Sequence, residues 1–468
     1  MDRSVVLITI DCLRQDHLSV YGYDRDTTPF LNSIKDESIL FENAYANGPG
    51  TSVSFPAIFS STYPFEHGGY SGLSSKRTPV AEILQSKGVQ TFGVHSNTFL
   101  SSHFGYNRGF NTYLSNVGEN DAQIRRLDNK ISNTWVGSTA SYGYLRKVMK
   151  SLLSLRGEQK IPYWTAEQTT DKAIRLVEES TSPFFLWVHY MDVHAPHHPP
   201  DDCFQEFSST SVDWDEHHES WTKARESRAS MTEDRQQEFI DAYDAEIRYV
   251  DRELSRLVSA IESRVESPPL FMITSDHGEE LFDHGKVGHQ HPHLYQDLID
   301  IPLILYSKSD QISGDIREDL VDHLNIAPTI LSWFNLDTPE DYRGTPLLGQ
   351  SSKNGIDMAR DVVFSEVSHR SGGPDIGEVD LNNAIISAIH KSGYQYINNR
   401  QNDSKELFKL QRENHTVTTK SVPLGSTDIP FEDVINSHLS VVCEEHESEQ
   451  DTVPDDIKQQ LHDLGYTG

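Results

Sequence analysis

The chain contains 468 residues, with 71 Asp and Glu against 40 Lys and Arg, and its formal net charge is −31. Nucleic acid and anionic lipid surfaces are therefore not expected as partners, because binding phosphate groups requires clustered Lys and Arg. No stretch reaches the ~18 consecutive apolar residues that a membrane helix needs, and the first residues lack the pattern of a signal peptide. We expect a protein without an integral membrane segment that stays in the cytoplasm, and its oligomeric state is left open.

The acidic residues are spread along the whole chain rather than confined to one tail. This distribution is typical of a protein from a halophile, because the Debye length in molar salt is only about 3 Å and screens the self-repulsion of the surface. The alternative is an ordinary acidic protein from a mesophile. We favour the halophile.

Apolar runs separated by helical stretches predict a mostly parallel sheet with helices on both faces. The runs are nearly continuous rather than alternating, as expected of strands buried on both sides. In chain order the predicted strands are Val5–Ile10, Thr91–Val94, Phe184–Val188, Leu270–Ile273 and Ile301–Tyr306. Apolar residues spaced by threes and fours from Phe239 to Ile261 predict the clearest helix. Thr165 and Gln168 predict a capping box that opens another helix.

Two polar segments with weak periodicity, at about 120–160 and 201–235, are predicted to be insertions at the rim of the sheet, where they could form a lid. After residue 360 short alternating runs predict a small antiparallel sheet. These runs are Val362–Phe364, Ala384–Ile389 and Tyr394–Asn398. The expected domains are a catalytic α/β domain over 1–355, a small C-terminal α+β subdomain over 356–442, and an acidic linker with a terminal helix over 443–468.

Acidic and imidazole side chains directly follow two of the predicted strands. Asp11 follows the first strand, and Asp276 and His277 come soon after the fourth. Because ligands of open α/β sheets bind outside the carboxyl ends of the strands, these residues form a plausible site for a divalent cation. For each residue alone the alternative is a helix cap or a turn. One imidazole among oxygen ligands suits Mn²⁺, Mg²⁺ or Ca²⁺ better than Zn²⁺.

A glycine-rich turn at residues 47–50 leads into Thr51 and Ser52 and then into a predicted helix. The N-terminus of a helix offers free N–H groups and the positive end of its dipole, which suits an anionic ester and lowers the pKa of a hydroxyl. Thr51 is therefore a candidate nucleophile. The simpler alternative is that Thr51 or Ser52 only caps the helix.

Histidines are concentrated in two further segments, at residues 189–198 and 284–293. Imidazoles beside strand ends are candidate metal ligands or general acids that protonate a leaving group. The alternative for each of them is a polar loop residue without a catalytic role.

Taken together, these segments resemble the sulfatase family of the alkaline phosphatase superfamily over nearly the whole chain. The matching motifs are Ile8–Leu18, Thr51–Gly68, Pro183–Pro196, Thr274–Gly285, Ile326–Thr329, Arg343–Gly344, Glu406–Leu410 and Leu464–Tyr466. The resemblance implies an alkaline-phosphatase-like α/β sandwich and metal-dependent cleavage of an ester.

The same resemblance implies a role for each matching residue. The expected metal ligands are Asp11, Thr51, Asp276 and His277. The expected catalytic residues are Thr51, His194 and His289. The residues expected to bind substrate are Arg14, Asn97, Asp192 and His284.

The chain departs from the family at several of these positions. Sulfatases carry Cys or Ser at the nucleophile position, which becomes formylglycine, with Pro two and Arg four positions later, whereas this chain has Thr51, Val53 and Phe55. A different alignment places Ser54 there. Threonine cannot yield the aldehyde, because its Cβ carries an extra methyl group, so no formylglycine is expected.

Two further positions differ, and together the departures favour phosphorus chemistry. Cys12 replaces the second Asp of the opening motif, and His289 stands where the family often has Lys. The remaining set of Asp, Thr, Asp and His is similar to the one-metal arrangement of lipoteichoic acid synthases and related phosphotransferases.

We therefore expect a sulfatase-family hydrolase or transferase that uses one divalent cation and a Thr nucleophile on a phosphate or sulfate ester, with phosphodiesters preferred. The substrate would be a small anionic ester or a glycan-linked or lipid-linked one. The alternatives are a sulfatase acting on sulfated glycans or small esters, and an inactive pseudoenzyme that binds an anion or a glycan.

Overall fold

A computed structural model describes residues 3–116, 162–181, 183–227, 231–289, 293–348, 360–368, 379–413 and 416–443. Its strands are β1 Val5–Ile10, β2 Ser38–Tyr45, β3 Gln90–His95, β4 Thr112–Ser115, β5 Phe184–Tyr190, β6 Leu270–Ser275, β7 Leu303–Tyr306, β8 Asp315–Asp322, β9 Val362–Ser368, β10 Ala384–His390, β11 Tyr394–Asn399, β12 Ser404–Glu413 and β13 Thr416–Val422. Its α-helices are α1 Pro29–Ser33, α2 Thr51–Ser60, α3 Val80–Ser86, α4 Ala166–Glu179, α5 Asp201–Phe204, α6 Trp214–Ser227, α7 Glu233–Arg264, α8 Gln296–Ile299, α9 Ile326–Trp333 and α10 Phe431–Cys443.

The larger sheet has eight strands in the order β4-β3-β5-β1-β6-β7-β2-β8. β1 lies near its centre and pairs in parallel with both β5 and β6. All of its residues are buried, which explains why its sequence is almost continuously apolar and β-branched. The predicted mostly parallel sheet is confirmed.

β7 is antiparallel to both of its neighbours, β6 and β2. The apolar run Ile301–Tyr306 predicted a strand, and the strand begins at Leu303. Its direction could not be deduced from that run, because a strand buried on both faces is apolar in either direction. β2 and β8, which complete this half of the sheet, are absent from the predicted set.

Helices cover both faces of the sheet. The core on one face includes Phe55 and Phe59 of α2, Leu84 of α3 and Ile330 of α9. The core on the other face includes residues of α4, α6 and α7, among them Phe239 of α7. The alternate side chains of β1 divide between these two cores, so the sheet is the middle layer of a three-layer sandwich.

α7 is the long helix predicted from Phe239 to Ile261, and it extends beyond that range at both ends. The capping box of α4 is also confirmed: Thr165 Oγ1 accepts a hydrogen bond from Gln168 N, and the Gln168 side chain accepts one from Thr165 N. Within the described residues no helix is both long enough and apolar enough to cross a membrane.

The segment 201–235 was predicted as a weakly periodic insertion, and most of its described residues are helical, in α5, α6 and the start of α7. The periodicity is weak because the buried face of α6 includes a polar residue, His217, beside Trp221. Both rings contact Phe239 of α7. The other predicted insertion, 120–160, lies outside the described residues.

The smaller sheet has five antiparallel strands in the order β13-β12-β11-β10-β9, which confirms the predicted C-terminal antiparallel sheet. It contacts the turn before α2, since Glu366 N donates to Asn47 O at 2.8 Å. The Glu366 carboxylate accepts from Phe65 N at 2.9 Å and also bonds His438 of α10. The predicted terminal linker and helix beyond Cys443 lie outside the described residues.

A candidate active site at the carboxyl ends of the central strands

Asp11 directly follows β1, and the parallel register brings its neighbours to the same edge. Ile10 pairs with Tyr190 of β5 and with Ser275 of β6. The side chains that end β5 and follow β6 therefore gather around Asp11. These are His189, Asp276 and His277, and all of them are fully buried.

The Asp11 carboxylate lies at the centre of this group and close to its other members. Its Oδ2 accepts from Asn97 Nδ2 at 2.8 Å and lies 3.3 Å from His189 Nε2. Burial alone would raise the pKa of Asp11, but the hydrogen bond with His189 and the charges of His194 and His277 hold it well below its usual range. Asp11 is therefore a carboxylate at neutral pH.

Asp276 and His277 carry the clearest signs that these residues can hold a cation. Asp276 Oδ2 and His277 Nε2 are buried, and neither has a hydrogen-bond partner among the described residues. His277 Nδ1 donates to Gly278 O at 2.7 Å, so the lone pair lies on Nε2, which is 3.5 Å from Asp11 Oδ1. Burial and the charge of Asp11 raise the pKa of Asp276. A divalent cation fits these residues, because it would bind the two atoms that lack a hydrogen-bond partner. It would also neutralise the carboxylates of Asp11 and Asp276.

Thr51 is the first residue of α2 and is almost fully buried. Its hydroxyl donates to Asp11 Oδ2 at 3.4 Å and accepts from Asn97 Nδ2 at 3.4 Å. The hydroxyl of Ser54, the alternative nucleophile, instead donates to Gly48 O at 2.9 Å within its own turn. The structure thus brings the four predicted metal-site residues together, with Thr51 and not Ser54 bonded to the central carboxylate.

His194 and His289 form a second group with Cys12. One ligand atom of each lies within 4.8 Å of the others, and Cys12 Sγ donates to Asp11 Oδ1 at 3.2 Å. Cys12 therefore connects the two histidines with Asp11.

The two imidazoles differ in charge. Burial lowers the pKa of His194 to about 4, although Asp11 opposes the shift. Burial also lowers the pKa of His289, but Glu279, whose Oε1 lies 3.0 Å from His289 Nδ1, more than offsets this, and the net shift is upward. At neutral pH His194 is neutral, while His289 gains cationic character from its bond to Glu279.

Asn97 is the one predicted substrate-binding residue whose side chain bonds to Asp11 and Thr51.

The Arg14 guanidinium is held by Asp16 and Asp283. Contact between Arg14 and a substrate stays a prediction, and its visible role is to hold the loop that carries Asp283.

Asp192 and His284 bond elsewhere in the structure. Asp192 Oδ1 accepts from Ala166 N at the start of α4, and burial raises the pKa of Asp192 to about 7. His284 is partly exposed, and its Nε2 lies 3.4 Å from Asp297 Oδ1. Their contact with a substrate also stays a prediction.

Three residues of the site were not singled out as site residues from the sequence: His189, Cys12 and Glu279. His189 lies one residue before the end of β5, and its Nδ1 lies 2.8 Å from Thr9 Oγ1 of β1. Its position beside a strand end could have identified His189 as a candidate from the sequence. The pairing of Glu279 with His289 across a loop had no local signal, because ten positions separate the two residues in the sequence.

A family model described as Sulfatase matches residues 3–336, which include the whole larger sheet. The chain belongs to the sulfatase family.

Curated sulfatases are similar to this sulfatase-family chain along most of its length. It is 22% identical to an arylsulfatase of Clostridium perfringens, over 88% of this chain and 90% of the relative. It is 24% identical to iduronate 2-sulfatase of Mus musculus, over 72% of this chain and 69% of the relative.

Solved structures share its fold. Phosphonate monoester hydrolase of Agrobacterium radiobacter aligns with a TM-score of 0.65 at 16% identity, over 94% of this chain and 95% of that one. Phosphonate monoester hydrolase from Silicibacter pomeroyi aligns with a TM-score of 0.60 at 17% identity, over 94% of both chains. The fold is thus one on which hydrolases named for sulfur esters and for phosphorus esters both occur, and this chain is a hydrolase of that family.

Proposed function

We propose that this sulfatase-family hydrolase cleaves, or transfers from, a phosphate or sulfate ester with Thr51 as the nucleophile and one divalent cation, and that it prefers phosphodiesters. The observation that carries the proposal is the position of the Thr51 hydroxyl, which bonds to Asp11 and Asn97 at the N-terminus of α2. Beside it lie Asp276 Oδ2 and His277 Nε2, two buried atoms without a hydrogen-bond partner among the described residues. Mn²⁺, Mg²⁺ and Ca²⁺ are the candidate ions, because oxygen donors predominate.

The cation, when bound by Asp11, Thr51, Asp276 and His277, would lower the pKa of the Thr51 hydroxyl and withdraw charge from the ester oxygens. Asp11 and Asn97 fix the Thr51 side chain through their hydrogen bonds. The Thr51 hydroxyl passes its proton along its hydrogen bond to Asp11 Oδ2, Oγ1 attacks the phosphorus, the bond to the leaving oxygen breaks, and a phosphothreonine forms. Water or an acceptor alcohol then attacks the same phosphorus, the bond to Thr51 Oγ1 breaks, and Oγ1 regains its proton.

His289 and His194 take different parts in this reaction. The charge of Glu279 favours the protonated form of His289, which suits it to stabilise the ester's negative charge and to protonate the leaving oxygen. His194 is neutral at pH 7, and its Nδ1 is bonded to the carbonyl of Ala195. Because Nδ1 donates in that bond, the neutral ring presents Nε2 as an acceptor, which suits His194 to take the proton of the attacking water or alcohol in the release step.

Two alternatives stay open. Relatives are named arylsulfatase and iduronate 2-sulfatase, which favours a sulfate ester of a glycan or small molecule as the substrate. Against it stands Thr51, which cannot become formylglycine. The other alternative is a pseudoenzyme that binds an anion or a glycan, and the intact group of metal donors argues against it.

The test compares an aryl phosphodiester with the matching aryl sulfate in high salt with Mn²⁺. We expect phosphodiester turnover by the wild type and a loss of at least about 10³-fold in Thr51→Ala, because the nucleophile is removed. Ser54→Ala is the matched control and should keep activity, while Thr51→Ser should keep part of it.

The other outcomes separate the alternatives. Turnover of the sulfate alone would establish a sulfatase and refute phosphodiester preference. Full activity in Thr51→Ala would refute the nucleophile. No turnover of either ester by a metal-loaded wild type would favour the pseudoenzyme.

A further inference from the structure

A second group of metal-donor side chains lies outside the site described above. One ligand atom each from Glu280, His293 and Asp297 lies within 4.8 Å of the others. Glu280 Oε2 is 2.9 Å from His293 Nε2. His284 adds a further imidazole, with its Nε2 3.4 Å from Asp297 Oδ1. We call these four residues the loop cluster.

Asp297 supplies the independent sign that this cluster takes a ligand. Its side chain is 3% exposed, and both of its carboxylate oxygens are buried without an accepted hydrogen bond from any described residue. The nearest polar contact of this carboxylate is His284 Nε2 at 3.4 Å, which offsets only part of the cost of burying it. His293 Nδ1 is likewise buried and lacks a partner among the described residues.

The remaining contacts hold the donors in place. Glu280 Oε1 accepts from His284 N at 3.1 Å and from Lys286 N at 3.0 Å, which leaves Oε2 directed toward His293. The ring of Tyr295 packs on both imidazoles, 4.4 Å from His284 and 4.9 Å from His293 between centroids. Backbone hydrogen bonds to the outer oxygen are typical of metal-binding carboxylates, and the packing of Tyr295 restricts the two imidazole rings.

We propose that the loop cluster is a second metal site, which binds one divalent ion of the zinc type through Glu280, His293 and Asp297, with His284 as the fourth ligand. Two carboxylates and two imidazoles form a donor set that suits Zn²⁺ and neighbouring transition metals better than Mg²⁺ or Ca²⁺. Tetrahedral ligands about 2.0 Å from an ion lie roughly 3.3 Å from one another. The separations of 2.9 Å between Glu280 Oε2 and His293 Nε2 and of 3.4 Å between His284 Nε2 and Asp297 Oδ1 are close to that value.

The position of the cluster indicates what the ion does. Glu280 begins a hairpin in which Leu281 bridges Val287 and Gly288 N donates to Glu280 O at 3.0 Å. The hairpin continues to His289, whose partner Glu279 precedes Glu280 in the chain. An ion that ties Glu280 to Asp297 would fix the base of the hairpin, so its role is to position His289 and not to contact the substrate.

The experiment measures the total metal content of the full-length protein by mass spectrometry after stripping with a chelator and dialysis against Mn²⁺ and Zn²⁺ together. We expect two equivalents in the wild type and one in Asp297→Asn, His293→Gln and Asp276→Asn. In titration, Zn²⁺ binding at the loop cluster should weaken at least 100-fold in Asp297→Asn. Asp300→Asn is the matched control, because Asp300 is an equally buried carboxylate that pairs with Arg412, and it should keep two equivalents.

Two results would overturn the proposal: a second equivalent that survives in Asp297→Asn and His293→Gln, or a wild type that binds one equivalent and loses it in Asp276→Asn. Retention of the equivalent that depends on Asp276 shows that the loop-cluster variants fold. If Asp276→Asn keeps both equivalents while Asp297→Asn loses one, the proposed catalytic site fails and the loop cluster stands.

Discussion

The ring of His277 is oriented by its own neighbour in the chain, since Nδ1 donates to the carbonyl of Gly278. That bond fixes the tautomer and leaves Nε2 as a lone-pair donor beside Asp11 and Asp276. In the proposed mechanism this ring serves as a metal ligand rather than as an acid, and the proposed proton donor is His289, whose bond to Glu279 favours its protonated form.

The metal site can be tested residue by residue. Asp276→Asn and His277→Gln should each lose the catalytic metal equivalent, because each removes a donor that the other ligands do not replace. Metal content measured in Mn²⁺-dialysed protein checks this, with far-UV circular dichroism as the control for folding. Unchanged stoichiometry in both variants would show that the ion binds elsewhere.

His197 gives a prediction for pH dependence away from the metal ligands. Burial lowers its pKa to about 3, with a contribution from the cationic form of His217. The unfolded chain gains a proton on this residue below pH ~6.5, while the folded chain does not until about pH 3, so stability is lost as the pH falls through this window.

In His197→Gln this loss is absent. The free energy of unfolding of the variant should therefore improve relative to the wild type by about 2 kcal/mol between pH 7.5 and pH 5. Urea unfolding of both proteins at the two pH values measures the difference. An offset that is the same at both pH values would contradict the prediction.

Helix α4 both packs on the sheet and is bonded at its N-terminus to a residue that follows a central strand. Its capping box begins at Thr165, and its first N–H, from Ala166, is accepted by Asp192, which follows β5. The amphipathic helix then buries Ala173 and Val177 against the sheet. The start of α4 is thereby fixed to the carboxyl end of a central strand.

The cap itself is testable. Thr165→Ala should lower the free energy of unfolding by about 1 kcal/mol, because the N–H of Gln168 loses its acceptor. Thr165→Ser keeps the hydroxyl and is the matched control, with a smaller expected change. Thermal or urea unfolding measures both, and equal stability of the Ala variant and the wild type would mean that the hydrogen bond contributes nothing.

On the scale of the whole molecule, a net charge of −31 acts against the compact state through self-repulsion. We expect the free energy of unfolding to rise by a few kcal/mol between 0.1 M and 2 M KCl, because the Debye length falls from ~10 Å to a few Å. A variant in which four exposed acids become amides should show a shallower rise. Those acids are Asp24, Glu178, Glu179 and Glu266. Stability that does not change with salt would contradict the expected halophilic surface.

Much of the central sheet was predictable from the chain alone. β1 was predicted at its observed bounds, because a short, nearly continuous apolar run rich in β-branched residues favours a strand buried on both faces. That Asp11 and Asp276 lie close together was predictable, because both follow strands that run in parallel and end at the same edge of the sheet. By contrast, β12 and β13 carry mostly polar, partly exposed residues, so no apolar run marks them.

The amino-acid sequence by itself indicated the family and the positions of several buried strands along the chain, because these are encoded by motifs and by local apolar pattern. It also pointed to Asp11, Thr51, Asp276 and His277 as candidates, through their places after strands or before a helix and through the family resemblance. The tertiary structure alone decided which way β7 runs and that Glu279 pairs with His289. It also decided that Asp297 lies buried beside Glu280 and His293. These depend on strand register and loop closure between distant positions, and such contacts leave no trace in the local pattern of the chain.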